Sequence, residues 1–210
     1  VLLKNLILLN FTIVLLVACA SSQPLSPQSA QQILADSWQA GQHIIWEIDW
    51  PEAPISGSLT VETWRINGQY HYEILEAPTA ALVGQVLVFD GQDAWRYNRF
   101  EPPSTFTSTT PSLSPVSDAF TIIDRLISTP PQMATLEMAQ VNSSPAEKIT
   151  VIFPNDDTLT LWREVETGLP IRLIFSLNKQ QATLKAREFE PLYDPPKELF
   201  GVGNWINNIP

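Results

Sequence analysis

Cysteine is almost absent from this chain of 210 residues: Cys19 stands alone, so no disulfide can form within it and the fold must rely on its own core. Histidine is nearly as scarce. His43 and His71 both fall in strand-like stretches, and with no second thiol there is no Cys/His ligand set, so neither a metal nor another cofactor is expected. Basic residues are few as well, 12 Lys and Arg against 22 Asp and Glu, and the net charge of −10 argues against nucleic acid as a partner. There is no Gly-rich phosphate loop, no Gly-x-Ser-x-Gly elbow and no repeat of fixed length. Glu47, Asp49, Glu62 and Glu73 sit at alternating strand positions, the pattern of a solvated face rather than of a paired acid and base. The chain therefore reads as no enzyme.

What is present begins with a long apolar run. After Lys4, the only charge in the first nineteen residues, the sequence LILLNFTIVLLVA leads into Cys19. A basic start, a short apolar stretch and small residues at its end make an export signal, somewhat short for a span of about 20 residues. Leu16, Val17, Ala18 and Cys19 resemble the lipobox of bacterial lipoproteins. That resemblance implies cleavage before Cys19, acylation of its thiol, and a protein anchored to the cell membrane on the extracytoplasmic side. The expected organisation is a signal peptide over 1–18, a tether over 19–27 and one domain over 28–210. The 192 residues from Cys19 onward suffice for a substantial core.

Beyond the tether, Ser26 is placed to cap a helix that has Pro27 at its first position and Ala30, Ile33, Leu34 and Trp38 on one face, ending at Gly41. QHIIWEIDW alternates as a strand with Ile44, Trp46, Ile48 and Trp50 on one side. GSLTVETWRI and QYHYEILE flank Asn67-Gly68, a strong hairpin signal, and LVGQVLVFD and DAWRYN continue an antiparallel meander of five strands. Residues 101–117 form a loop rich in Pro, Ser and Thr, and a helix follows whose apolar stripe is Ala119, Phe120, Ile122, Ile123, Leu126 and Ile127. Four further strands are read in EKITVIF, DTLTLWREV, PIRLIFSL and QATLKAREFE, and the tail has no clear period. Asn142-Ser143-Ser144 matches a glycosylation sequon, which carries no information behind a bacterial signal. The class is α+β, mainly antiparallel β.

The order of elements resembles the LolA-like lipoprotein carrier superfamily, which includes LolB, RseB-type periplasmic sensors and outer membrane lipoprotein-sorting relatives. The residues that carry it are VLVFDGQDAWRYNRFEP (86–102), LTLWREVETGLPIRLIF (159–175) and FEPLYDPPKEL (189–199), which cover strands, acidic or Gly-containing turns and a proline-rich exit. The resemblance implies a curved half-open β-barrel with helices covering an apolar cavity, the helix near 118–128 acting as part of a lid. Trp46, Ile48, Trp64, Trp95, Tyr97, Phe120, Ile123, Trp162 and Phe175 are the expected lining residues, chosen for bulk and position. In the soluble carrier an arginine on an early strand holds the lid. Arg65 lies in the corresponding stretch, but TWRING departs from the carrier's motif, and no locking role is assigned to it. The function implied is binding of lipid or of the acyl chains of lipoproteins, in transport or reception. The alternative is a sensor or interaction module of the RseB type, whose partner would be an envelope protein. A continuous apolar cavity would favour either over a hydrolase, which needs converging carboxylates.

Overall fold

The computed structural model describes residues 22–51, 57–101, 107–108 and 115–200. Cys19, the signal segment, most of the loop over 101–117 and the end of the tail lie outside them. The chain begins with strand β1 (Gln23–Leu25) and helix α1 (Pro27–Gln39), followed by strands β2 (Gln42–Asp49), β3 (Ser58–Ile66), β4 (Gln69–Glu76), β5 (Gln85–Phe89), β6 (Ala94–Asn98) and β7 (Thr107–Ser108). Helix α2 (Pro115–Ser128) precedes strands β8 (Met133–Val141), β9 (Ser144–Ile152), β10 (Thr158–Glu164), β11 (Pro170–Leu177) and β12 (Gln180–Pro191). All the strands join one antiparallel sheet in the order β1-β8-β9-β10-β11-β12-β2-β3-β4-β5-β6-β7, curved but not closed. Among the described residues no helix is long and apolar enough to cross a membrane.

Local chemistry accounts for most boundaries. The Ser26 hydroxyl accepts a hydrogen bond from the Ser29 amide at 3.0 Å and starts α1, with Pro27 supplying a helical φ at its first position. Asn67 and Gly68 turn β3 into β4 with φ of 51° and 79°, both in the left-handed region that the tightest hairpins require. Asn142 and Ser143, with φ of 50° and 71°, do the same between β8 and β9, so the sequon-like triplet is a hairpin turn. Three strands differ from the sequence reading: Gln23–Leu25, expected within the tether, pairs with Met133–Val141, a strand absent from that reading, and Thr107–Ser108, expected within the loop, pairs with β6.

Because antiparallel partners in register share a face, the pairing sorts every side chain to one side of the sheet. One row of partners runs Leu136, Ile149, Leu161, Leu173, Leu184, Ile48 and Leu59 across seven strands. It is apolar throughout, and α1 and α2 cover it. The next row, on the opposite face, runs Glu137, Lys148, Trp162, Arg172, Lys185 and Glu47. Bulges at Ala186/Glu188 and Thr60/Val61 each insert a residue, which keeps Phe189 and Ile74 on the core side and adds to the bend of the sheet.

Candidate functional site

The sheet's inner face offers Trp46, Ile48, Val61, Tyr72, Leu173, Leu184 and Phe175, all buried. Helix α1 lays Ala30, Leu34 and Trp38 on it, and α2 adds Ala119, Phe120, Ile123, Leu126 and Ile127. At the centre two rings meet Phe120 of α2, Trp38 at 5.8 Å and Tyr72 at 4.6 Å, and Trp38 lies 6.4 Å from Trp46. The helices thus fill the concave face of the sheet with apolar side chains.

At one end of this plug the chemistry changes. Arg65 of β3 donates from Nη2 to Asp124 Oδ1 of α2 at 2.9 Å, and Trp38 Nε1 donates to the same oxygen at 2.5 Å. The Arg65 guanidinium carbon also sits 4.4 Å from the centre of the Trp38 ring, a cation–π arrangement. Three elements, β3, α1 and α2, are therefore tied through one carboxylate oxygen. Beside them opens a cleft of about 540 Å³ whose walls include Trp38, Arg65, Tyr70, Phe89, Asp124 and Ile127. Burial holds the Tyr70 and Tyr72 hydroxyls above the usual phenol range, so both stay neutral donors.

The expected lining residues divide cleanly. Trp46, Ile48 and Phe175 lie on the inner face, and Phe120 and Ile123 on α2 are packed against it. Trp64, Trp95, Tyr97 and Trp162 do not line the interior. Trp64 pairs with His71, His71 with Val88 and Val88 with Trp95, an outer row that is one residue out of phase with Thr63 and Tyr72. Trp64 stacks on His43 at 4.8 Å, and His43 bridges Glu62 and Glu190 at 2.9 and 2.8 Å. Tyr97 shares that face through Val86. Trp162 lies between Lys148 and Arg172, 5.7 and 4.8 Å from its ring centre. In a strand the side alternates with every residue, so bulk alone does not say which way a tryptophan points.

Arg65 and Asp124 were missed as a pair. They are 59 positions apart; the family resemblance pointed to the stretch that holds Arg65, but nothing local pointed to Asp124 as its partner. The outer face carries its own polar structure. The C-terminal turn Lys197–Phe200 lies against β4, where His71 Nδ1 donates to the Leu199 carbonyl at 3.0 Å, and Arg99 pairs with the buried Glu73 at 2.7 Å. Among the described residues no group of three or more His, Cys, Asp or Glu side chains is placed to hold a metal ion.

No family model matches the sequence, and no curated protein matches it significantly. Solved structures do. An uncharacterised conserved protein from Thermus thermophilus matches with a TM-score of 0.51 at 14% identity, over 82% of this chain and 91% of its own. MucB matches with a TM-score of 0.52 at 14% identity, over 84% of this chain but 62% of MucB, so this chain spans less than two thirds of that protein. A LolA superfamily protein from Nitrosomonas europaea matches at 13% identity over 84% of this chain and 98% of its own, with a TM-score of 0.40. At these identities the likeness is one of architecture: this chain shares the fold of MucB and of the Thermus thermophilus protein.

Proposed function

We propose that this protein is an extracytoplasmic lipoprotein, anchored through Cys19, that binds acyl chains of lipids or lipoproteins between the inner face of its sheet and helix α2. The observation that carries the reading is the uninterrupted apolar row from Leu136 to Leu59, on the face that α1 and α2 cover, with α2 latched through Asp124. Acyl binding here exchanges one apolar cover for another. A chain of 14 carbons offers on the order of 11 kcal/mol of gross desolvation at roughly 0.8 kcal/mol per methylene, against which stand ordering costs and displacement of Phe120 and Ile123 from their contacts. No bond is made or broken.

With β1 starting at Gln23, the four residues from Cys19 reach at most about 14 Å. The β1–β8 edge would then sit close to the membrane surface, near a source of acyl ligands. Replacing Cys19 by Ser is expected to abolish labelling of the protein by palmitate.

The test is native mass spectrometry with lipid extraction on the chain from Ala20, which retains every described core residue, Ala30 to Phe200. Phospholipid or acylated species are expected to co-purify and to be lost in Trp46→Asp and Phe120→Asp variants that still fold. A clean apo mass that retains no added lipid would overturn the reading in favour of a sensor or scaffold of the RseB type.

A further inference from the structure

The carboxylate of Asp124 marks a place where the protein already binds an oxyanion. Two donors from the body of the fold, Arg65 Nη2 and Trp38 Nε1, converge on one oxygen that the lid helix supplies. Arg65 has capacity to spare: Nη1 is buried and has no hydrogen-bond partner among the described residues. A buried guanidinium with an unmet donor is costly unless a second acceptor arrives, and a carboxylate or phosphate presents two or more oxygens to its fork. The site also stands between two different environments. Arg65 and Trp38 both wall the cleft of about 540 Å³, and Trp38, which Arg65 covers at 4.4 Å, packs 5.8 Å from Phe120 in the apolar interior. A ligand with a charged head and an apolar tail matches that sequence of surfaces.

We propose that Trp38 and Arg65 form an oxyanion site for the head of an acyl ligand, and that a carboxylate or phosphate of the ligand takes the place Asp124 now holds. The proposal rests on the acyl-binding reading above and adds the ligand's chemical class. It also couples binding to opening. While Asp124 occupies the donors, α2 is held down; when the ligand's oxyanion occupies them, α2 loses its polar tie and only its apolar contacts compete with the incoming chain. Neutral acyl ligands gain the apolar contacts but leave the tie intact.

The experiment compares myristate, methyl myristate and inorganic phosphate by titration calorimetry on the chain from Ala20, in the wild type and in Arg65→Gln, Arg65→Lys and Asp124→Asn variants, with circular dichroism to confirm folding. Charge-assisted hydrogen bonds of this kind change affinity by on the order of tenfold or more. Myristate is therefore expected to bind at least about tenfold more tightly than its methyl ester. Arg65→Gln is expected to erase that preference, with the ester binding at least as tightly as to the wild type because the tie to α2 is gone; Arg65→Lys is expected to keep part of the preference, and Asp124→Asn to tighten myristate binding by removing its competitor. Inorganic phosphate, with no tail, is expected to bind at least roughly 100-fold more weakly than myristate, by the gross gain of a few buried methylenes. Equal affinity for myristate and its ester in the wild type would overturn the oxyanion site and leave acyl binding standing. Phosphate binding as tight as myristate would overturn the assignment to a lipid, and failure of both acyl ligands to bind would remove the underlying reading itself.

Discussion

If α2 is a plug that an acyl chain replaces, shortening the plug should weaken the empty protein and help the ligand. Phe120 is the side chain to shorten: it is 1% exposed and its ring lies 4.6 Å from Tyr72 and 5.8 Å from Trp38. Phe120→Ala removes a transfer contribution of about 2 kcal/mol. It also leaves a void of up to about 100 Å³, which at about 24 cal/mol per Å³ adds about 2 kcal/mol more. The expected loss is about 4 kcal/mol, read as a lower urea midpoint at an unchanged slope. Added myristate should return more of this loss to the variant than it adds to the wild type, since the chain then enters space already open. Linkage at about 100 times the dissociation constant contributes about 2.7 kcal/mol, large enough to resolve. A loss below about 1 kcal/mol would show that Phe120 does not fill the interior. Greater stabilisation of the wild type than of the variant would show that plug and ligand do not share the same space, and the reasoning would fail.

Acid should loosen the outer face. Burial lowers the His71 pKa to about 4, so between pH 6.5 and pH 4 the unfolded chain binds the extra proton. The stability from keeping His71 neutral is fully present above pH 6.5 and declines as pH falls towards 4, by about 2 kcal/mol between pH 7 and pH 5. Glu73, whose pKa burial raises, acts in the opposite sense. Urea midpoints at the two pH values in the wild type and in His71→Gln give the check, and an equal pH slope in both would reject the assignment. Gly41→Ala should lower the melting temperature, because an added Cβ would lie 2.1 Å from the Leu192 carbonyl oxygen; a cost of about 1–3 kcal/mol is expected, and an unchanged melting curve would contradict it. Trp162→Ala on the outer face should leave myristate affinity within about twofold, whereas Ile48→Asp on the apolar row should abolish binding by placing an unpaired charge there. Loss of affinity in the Trp162 variant would mean that the two faces have been assigned the wrong way round.

Strong local chemistry made the fold legible. Ser26 and Pro27 announced α1, Asn67-Gly68 announced a hairpin, and the stripe from Ala119 to Ile127 announced α2, each through a mechanism that acts within a few residues. Strand β8 was illegible because MATLEMAQV, near the sheet's edge, is largely half-exposed and lacks the alternation of a strand with one buried face. Ser143 at its turn also gives a weaker signal than glycine. The candidate lining residues divided between the two faces for a related reason. Trp46 and Phe175 fell on the inner face and Trp64 and Trp162 on the outer, a difference of parity set by register and bulges that size does not reveal. The polar tie between Arg65 and Asp124 depends on how α2 settles across the sheet, a tertiary fact with no local precursor.

The central claim is that an acyl chain lies on the inner face beneath α2. The most direct measurement is paramagnetic broadening of the protein's methyl and indole NMR signals by a stearate carrying a nitroxide near its methyl end. The account predicts broadening of Ile48, Ile123 and Leu173 methyls and of the Trp46 indole, with Trp64 and Trp162 left sharp. Broadening centred on Trp64 and Trp162, or none at saturating ligand, would contradict it.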